Sequence, residues 1–313
     1  MSRENVRIVV TGGKGFVGRA VTNKLNEAGY KHVYPVGIAD YDLLVPSEVD
    51  RMFFELEPEK VIHLAGKVGG IGANKQFPAD FIHDNLLMGL NVINYASKYK
   101  VNNFVLASSV CGYPQMTTTP MKEVNFWNGQ PEETNRAYGI AKRTLVDILQ
   151  AYSKQYNMVG ISLLFANMYG PGDNFNPQSS HVIPALITKF DHAIQNNESE
   201  VTIWGDGSAT RDFLYVDDAA TVILKSVNEK DSLCANVGSG KEITIYELAQ
   251  TIKGLMGYNG KIVWDSSKPN GQIRRSLDTS KAQAYLDFKA ETLLVDGLNN
   301  TIEYYRSGVL CQQ

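Results

Sequence analysis

The chain is poor in cysteine, in excess basic charge and in long apolar runs, and each shortage argues against a class of function. Its three cysteines, Cys111, Cys234 and Cys311, lie far apart with no CxxC pair. That usage argues against a disulfide framework and for a reducing, cytoplasmic compartment. Lys and Arg number 30 against 33 Asp and Glu, a formal net charge of −3. No basic field therefore advertises nucleic acid or an anionic membrane, and the expected partner is a small molecule. No apolar run approaches the ~18 residues of a membrane span, and the first apolar segment reads as a strand rather than a signal peptide. Internal repeats, low-complexity tracts and an interdomain linker are also missing.

What is present is an ordinary globular composition, 43% apolar and 20% charged over 313 residues. That length suggests about two domains at roughly 150 residues each. Val6 to Val10 is a short β-branched run of the kind that fits a parallel strand buried on both faces. It leads into Thr11-Gly12-Gly13-Lys14-Gly15-Phe16-Val17-Gly18, and a helical pattern follows from Ala20 to Ala28. Gly12, Gly15 and Gly18, with Phe16 and Val17 between them, make a strand-to-helix turn whose backbone amides can approach a pyrophosphate at the positive helix end.

A second strand, about 32–37, runs into Asp40 and Asp42, where a carboxylate would read a free adenosine ribose. Asp42 could equally cap a helix starting near Pro46. No arginine follows that strand, which leans toward NAD, yet Lys14 and Arg19 could serve a 2′-phosphate, so both NAD(H) and NADP(H) stay open. A third strand carries His63, read as structural, into the small-residue turn Leu64-Ala65-Gly66, where backbone can pass close to a cofactor. A helix is expected from about Phe77. A fourth strand, 103–107, delivers Ser109 and Cys111 at its carboxyl end, where ligands bind in open α/β sheets. The alternation implies an α/β fold, a Rossmann-type doubly wound parallel sheet, with a smaller carboxyl-terminal lobe. Residues 1–170 with about 212–238 are expected to bind the dinucleotide, and about 171–211 with 239–313 the substrate.

Tyr138 and Lys142 lie four residues apart in a helical run, so both side chains project from one face. A cation beside a phenol favours phenolate and lowers the phenol's pKa, which suits an alcohol–ketone interconversion. Alone, Tyr-x-x-x-Lys reads as ordinary helix surface; its setting after the glycine turn and the strand-end serine gives it meaning.

With these motifs in this order, and with Asn167-Met168-Tyr169-Gly170-Pro171 and Arg211-Asp212-Phe213-Leu214-Tyr215-Val216-Asp217-Asp218 further on, the chain resembles the extended short-chain dehydrogenase/reductases that act on nucleotide sugars. Within them it is most similar to the GDP-L-fucose synthases, 3,5-epimerase/4-reductases of GDP-4-keto-6-deoxymannose. Lys67-Val68-Gly69-Gly70-Ile71, Pro78-Ala79-Asp80-Phe81-Ile82, Asp173-Asn174-Phe175-Asn176-Pro177, Ser180-His181-Val182-Ile183-Pro184-Ala185-Leu186 and Lys268-Pro269-Asn270-Gly271 carry that narrower likeness. The resemblance implies that Ser109 holds the reacting oxygen, Tyr138 passes it a proton and Lys142 holds the nicotinamide ribose. It further implies that Cys111 and His181 form an epimerisation acid/base pair, and that Asn167 lies between cofactor and sugar. Arg211 would take the diphosphate, with Lys189, Arg274 and Arg275 as weaker candidates, and Trp204 would pack against base or sugar.

A thiol and an imidazole both titrate near enough to neutrality to move protons beside a keto group, and no metal is required. Cys234 and Cys311 are read as structural. A homodimer is implied, through a four-helix contact of the Tyr138–Lys142 helix and the helix near 81–96. Two other readings remain: a C4 dehydrogenase/reductase of another GDP-sugar such as a GDP-heptose, and a non-catalytic dinucleotide-binding protein.

Overall fold

A computed structural model describes residues 3–177, 179–268 and 270–310; Pro269 and Cys311 lie outside the described residues. The chain runs through β1 (Arg7–Thr11), α1 (Phe16–Glu27), β2 (His32–Val36), α2 (Pro46–Leu56), β3 (Lys60–His63), α3 (Ile71–Gln76), α4 (Pro78–Lys98) and β4 (Asn103–Ser109). It continues with α5 (Arg136–Tyr156), β5 (Val159–Phe165), β6 (Asn167–Tyr169), α6 (Val182–Gln195), β7 (Glu200–Trp204), β8 (Thr210–Tyr215), α7 (Val216–Ser226) and β9 (Leu233–Val237). The remainder is β10 (Glu242–Thr244), α8 (Ile245–Met256), β11 (Lys261–Asp265), α9 (Ser280–Leu286) and α10 (Leu294–Leu310).

The central sheet has the order β2-β1-β3-β4-β5-β9, and every pairing in it is parallel. Its inner strands are covered on both faces, which explains why β1 and β4 read as continuous apolar runs. α1 packs against α7, while α4 packs against both α2 and α5. Chain direction across the sheet reverses between β1 and β3, so the crevice outside their carboxyl ends is the topological switch point.

A second apolar cluster gathers Tyr169, Ile183, Leu186, Phe190, Phe213 and Leu248, apart from the core under the central sheet. It is framed by a three-stranded sheet, β10-β8-β6, and by the parallel pair β11-β7. Sequence pattern leads one to expect the stretch from Arg211 to Asp218 to open a helix; its first half is strand β8, and the helix begins at Val216. Strand alternation then decides which way its polar residues point. Asp212 accepts from the Ser239 and Gly240 amides at 2.8 and 3.2 Å, whereas Arg211 faces the segment after β11 and donates to the carbonyls of Gln272 and Asn270 at 2.7 and 3.3 Å.

Candidate active site

The turn after β1 can be built only from glycine where it matters. Gly12 has φ +68, and a Cβ there would lie 2.8 Å from the Ala65 amide. At Gly18 a Cβ would fall 2.2 Å from the Gly12 carbonyl oxygen. The two turns that flank the switch point therefore touch backbone to backbone, with Leu64 N donating to Thr11 O at 3.0 Å. Gly15 is the N-cap of α1 and supplies no side-chain cap, which leaves first-turn amides free for a pyrophosphate. These residues fit a dinucleotide. Arg19 clamps the rim by donating to Lys14 O and Gly172 O at 2.8 and 3.0 Å.

At the end of β2, Asp40 accepts from the Gly37 amide at 2.8 Å and pairs with Lys14 Nζ at 2.6 Å. Those two contacts hold its carboxyl below the ordinary value. Asp42 instead accepts from Leu44 N at 2.9 Å, a local turn, and the N-cap of α2 is Val45 with no side-chain cap. His63 is fully buried and bonds Thr11 Oγ1 through Nδ1 at 2.8 Å. Burial, with Lys142 nearby, drives its pKa down to about 3, so it stays neutral.

Ser109 ends β4 and caps the following 3-10 turn, its Oγ accepting from Cys111 N at 3.1 Å. Helix α5 begins at Arg136, placing Tyr138 in its first turn and Lys142 one turn on. Gly139 lets the helix approach this turn, for a Cβ there would lie 2.3 Å from the Cys111 carbonyl oxygen. Ser109, Tyr138, Lys142 and Cys111 are thus brought together. Lys142 Nζ donates to Ala107 O at 3.0 Å and lies 5.9 Å from the centre of the Tyr138 ring.

Burial dominates the titration of both groups. The Lys142 ammonium falls to about 8. The Tyr138 phenol rises well above 10.0, with the Cys111 charge adding to the rise and the Ser109 hydrogen bond opposing it. The expected acidification of the phenol by the ammonium is therefore corrected: desolvation raises the phenol, only the Ser109 hydrogen bond opposes it, and the phenol is protonated at neutral pH.

Cys111 Sγ accepts from Arg275 Nη1 at 3.4 Å. Arg275 also donates to Gln272 Oε1 at 2.9 Å and, with the Asn135 amide oriented to satisfy both its ends, to the Asn135 oxygen at 2.7 Å. Arg211 is buried beside it, and that burial, with Arg275 as a like charge, lowers its pKa to about 9. Sequence reading gave Arg275 a weak substrate-binding role and gave Asn135, Glu132 and Gln272 none. Their only signal was position, just before the Tyr138 helix and just before Arg275.

His181 stands at the N-cap of α6; the residue as a whole is exposed, while desolvation of its imidazole lowers the pKa. No contact joins it to Cys111. Its loop is tied across the cleft mouth by Gly70 N donating to Ser179 O at 3.3 Å. Asn167 opens β6 directly after β5. Trp204 is exposed, with Lys268 Nζ 5.8 Å from its ring centre, and the next turn is held by Asn270 Oδ1, which accepts from Asp206 N at 3.0 Å. Lys189 donates to Thr202 O at 2.8 Å. Arg274 is committed elsewhere, in a two-pronged pair with Glu242 at 2.7 to 2.9 Å.

A doubly wound sheet with a glycine cradle at its switch point and a serine, tyrosine and lysine at the cleft floor defines a dinucleotide-dependent oxidoreductase or epimerase of the short-chain type. The chain belongs to the NAD dependent epimerase/dehydratase family, whose pattern it matches over residues 8–238. It is 40% identical over 310 residues to GDP-L-fucose synthase 1 of Arabidopsis thaliana, covering 99% of this chain and 96% of that one. Among solved structures it is similar to a GDP-L-fucose synthetase from Naegleria fowleri bound to NADP, with a TM-score of 0.90, 29% identity and coverage of 98% and 94%. It is also similar to a GDP-mannoheptose C4 reductase from Campylobacter jejuni with NADP bound, with a TM-score of 0.87, 28% identity and coverage of 97% and 99%.

Proposed function

We propose that the protein epimerises GDP-4-keto-6-deoxymannose at C3 and C5 and reduces the product at C4, yielding GDP-L-fucose, with NADPH as hydride donor. The observation that carries this reading is a thiol set among the reductase residues: Cys111 lies two residues after Ser109 and under the first turn of the Tyr138 helix. A 4-keto group acidifies the protons on both neighbouring carbons, so a base within the reductase cleft can invert them before the carbonyl is consumed. The electron pair released at carbon moves to the sugar oxygen, where Ser109 and Tyr138 stabilise it. His181, which the resemblance pairs with Cys111, returns a proton. A phenol kept protonated by burial then serves the last step, donating its proton to O4 as the ketone becomes an alcohol. Lys142 and Asn167 orient the nicotinamide end, and Arg211 meets the diphosphate. The dinucleotide supplies the hydride.

Incubation with the 4-keto sugar nucleotide and NADPH in deuterated water is expected to place deuterium at C3 and C5 of the product. Reduction at C4 without solvent label would remove the epimerase half of the reading. The similarity to a GDP-mannoheptose C4 reductase supports a second reading, reduction of a GDP-heptose; faster turnover of a 4-keto heptose than of the 6-deoxy sugar would favour it. A working thiol needs a reducing compartment, which supports a cytoplasmic location. A homodimer through α4 and α5 is part of this reading, supported by the half-buried Ile82 and the exposed Leu90 on α4. Sedimentation as a monomer at micromolar concentration would remove it.

A further inference from the structure

We propose that Arg275 holds Cys111 in its thiolate form, making the sulfur a ready base before any sugar nucleotide arrives. The geometry is direct, with the Nη1 donor 3.4 Å from Sγ. Arg275 is itself buried, only 8% exposed. Its other partners are neutral, the Gln272 side-chain oxygen at 2.9 Å and the Asn135 side-chain oxygen at 2.7 Å. Among the described residues no carboxylate lies within ion-pair distance of it. A buried cation hydrogen-bonded only to neutral groups is short of negative charge, and the adjacent thiol is the group that can supply it by losing a proton. Arg211 beside it is in the same condition, hydrogen-bonded to the carbonyls of Thr210, Gln272 and Asn270.

The charged and titratable groups that act with Cys111 are Arg275, Arg211 and Tyr138, and Glu132 acts on Arg211. Glu132 is the one acid among them. Its Oε2 accepts from Thr134 at 2.5 Å, and its backbone carbonyl accepts from the Asn135 amide nitrogen at 3.2 Å, so it steadies the residue that aims Arg275. In the epimerisation proposed above, on which this step rests, the thiolate takes the proton from the carbon beside the ketone and its charge passes to the enolate oxygen. His181, protonated from solvent, returns a proton to carbon. Arg275 acts through Cys111 and is a positioning residue.

The test uses the full chain without nucleotide sugar, so it reads the thiol whatever the substrate proves to be. The rate of alkylation of Cys111 by iodoacetamide is followed from pH 5.5 to 9.5 by peptide mass spectrometry, with Cys111→Ser as the control for other cysteines. In the native protein the midpoint is expected well below the ~8.5 of a free thiol. Arg275→Gln is expected to raise it by about one unit or more, a tenfold loss of thiolate at the lower pH values, and Arg275→Lys to restore part of the shift. A native midpoint at or above ~8.5 would overturn the proposal even if Arg275→Gln failed to fold. An unchanged midpoint in a folded Arg275→Gln protein, with KM raised for the sugar nucleotide, would also overturn it and make Arg275 a diphosphate ligand. Failure of the deuterium experiment with the thiol shift intact would reject the substrate reading alone.

Discussion

The Lys142 ammonium donates to the Ala107 carbonyl at 3.0 Å across the gap between α5 and β4, joining the catalytic helix to the strand that presents Ser109. The bond fixes the cation under the tyrosine but does not repay its desolvation, and the pKa falls to about 8 from 10.5. Between those values the unfolded chain binds more protons than the folded one, so this group makes stability rise with pH across that window. Lys142→Met is expected to lose reductase activity by about a hundredfold or more. It should also lose that rise, on the order of 2 kcal/mol between pH 8 and 9.5. Thermal melts of both proteins at the two pH values check this, and equal slopes would refute the buried-cation account.

Reduction and inversion share the oxygen contacts of Ser109 and Tyr138 but move their protons through different groups, so single substitutions should separate them unequally. Tyr138→Phe is expected to slow C4 reduction by roughly a hundredfold to ten-thousandfold while solvent deuterium still enters the substrate at C3 and C5, slowed by a smaller factor because Ser109 still holds the oxygen. Cys111→Ser is expected to do the reverse, reducing an already epimerised ketone while failing to exchange. Mass spectrometry of recovered sugar nucleotide measures both. A Tyr138→Phe enzyme that lost exchange and reduction in equal proportion would show one undivided site.

Much of this was legible in residue order because the cofactor half is local. Strand, glycine turn, helix and strand-end serine each announce themselves within a few residues, and the central sheet follows from their alternation. The helices read near Pro46 and from about Phe77 begin at Pro46 and Pro78, where proline's fixed φ suits the first helical turn. The second lobe was less legible because β6, β8 and β10 are short and pair across long separations, so β8 passed for the approach to a helix. The Arg275–Cys111 contact spans 164 positions of chain. No local spacing encodes such a meeting; it depends on the segment after β11 being held against β8 by Arg211. The pKa of Tyr138 is a case of the same kind: proximity of a lysine is visible in sequence, whereas the burial that raises the phenol is not.

Asp173 lies in the loop that leads from β6 to His181. Its Oδ1 accepts from Asn174 N at 2.7 Å, while Oδ2 is buried with no hydrogen-bond partner among the described residues. Burial pushes the carboxyl up to about 7. A raised folded pKa means its stabilising contribution is complete below 3.8 and lost as pH rises through about 7. Asp173→Asn keeps the shape and removes the titration. The variant is expected to melt higher than the native protein at pH 8, by about 1 to 2 kcal/mol or roughly 3 °C, and to lose that advantage at pH 5. An advantage of the same size at both pH values would mean that ionisation of Asp173 plays no part.

The contact between Lys14 Nζ and Asp40, 2.6 Å at the end of β2, bears on the choice between the two dinucleotides. Lys14 sits in the glycine turn, Asp40 at the ribose end, and each neutralises the other. A free 2′-hydroxyl can bond Asp40 and leave the pair intact, whereas a 2′-phosphate must draw Lys14 away from Asp40 and also meets the carboxylate's repulsion. Both side chains are solvent-facing, so the exchange should cost little. Asp40→Asn is expected to tighten NADPH by about tenfold, or ~1.4 kcal/mol, and to weaken NADH modestly. Lys14→Ala should weaken NADPH by a similar factor and barely touch NADH. Fluorescence titration of both dinucleotides gives all four constants. If Asp40→Asn changed NADPH and NADH by the same factor, the pair would be a surface contact with no part in reading the adenosine.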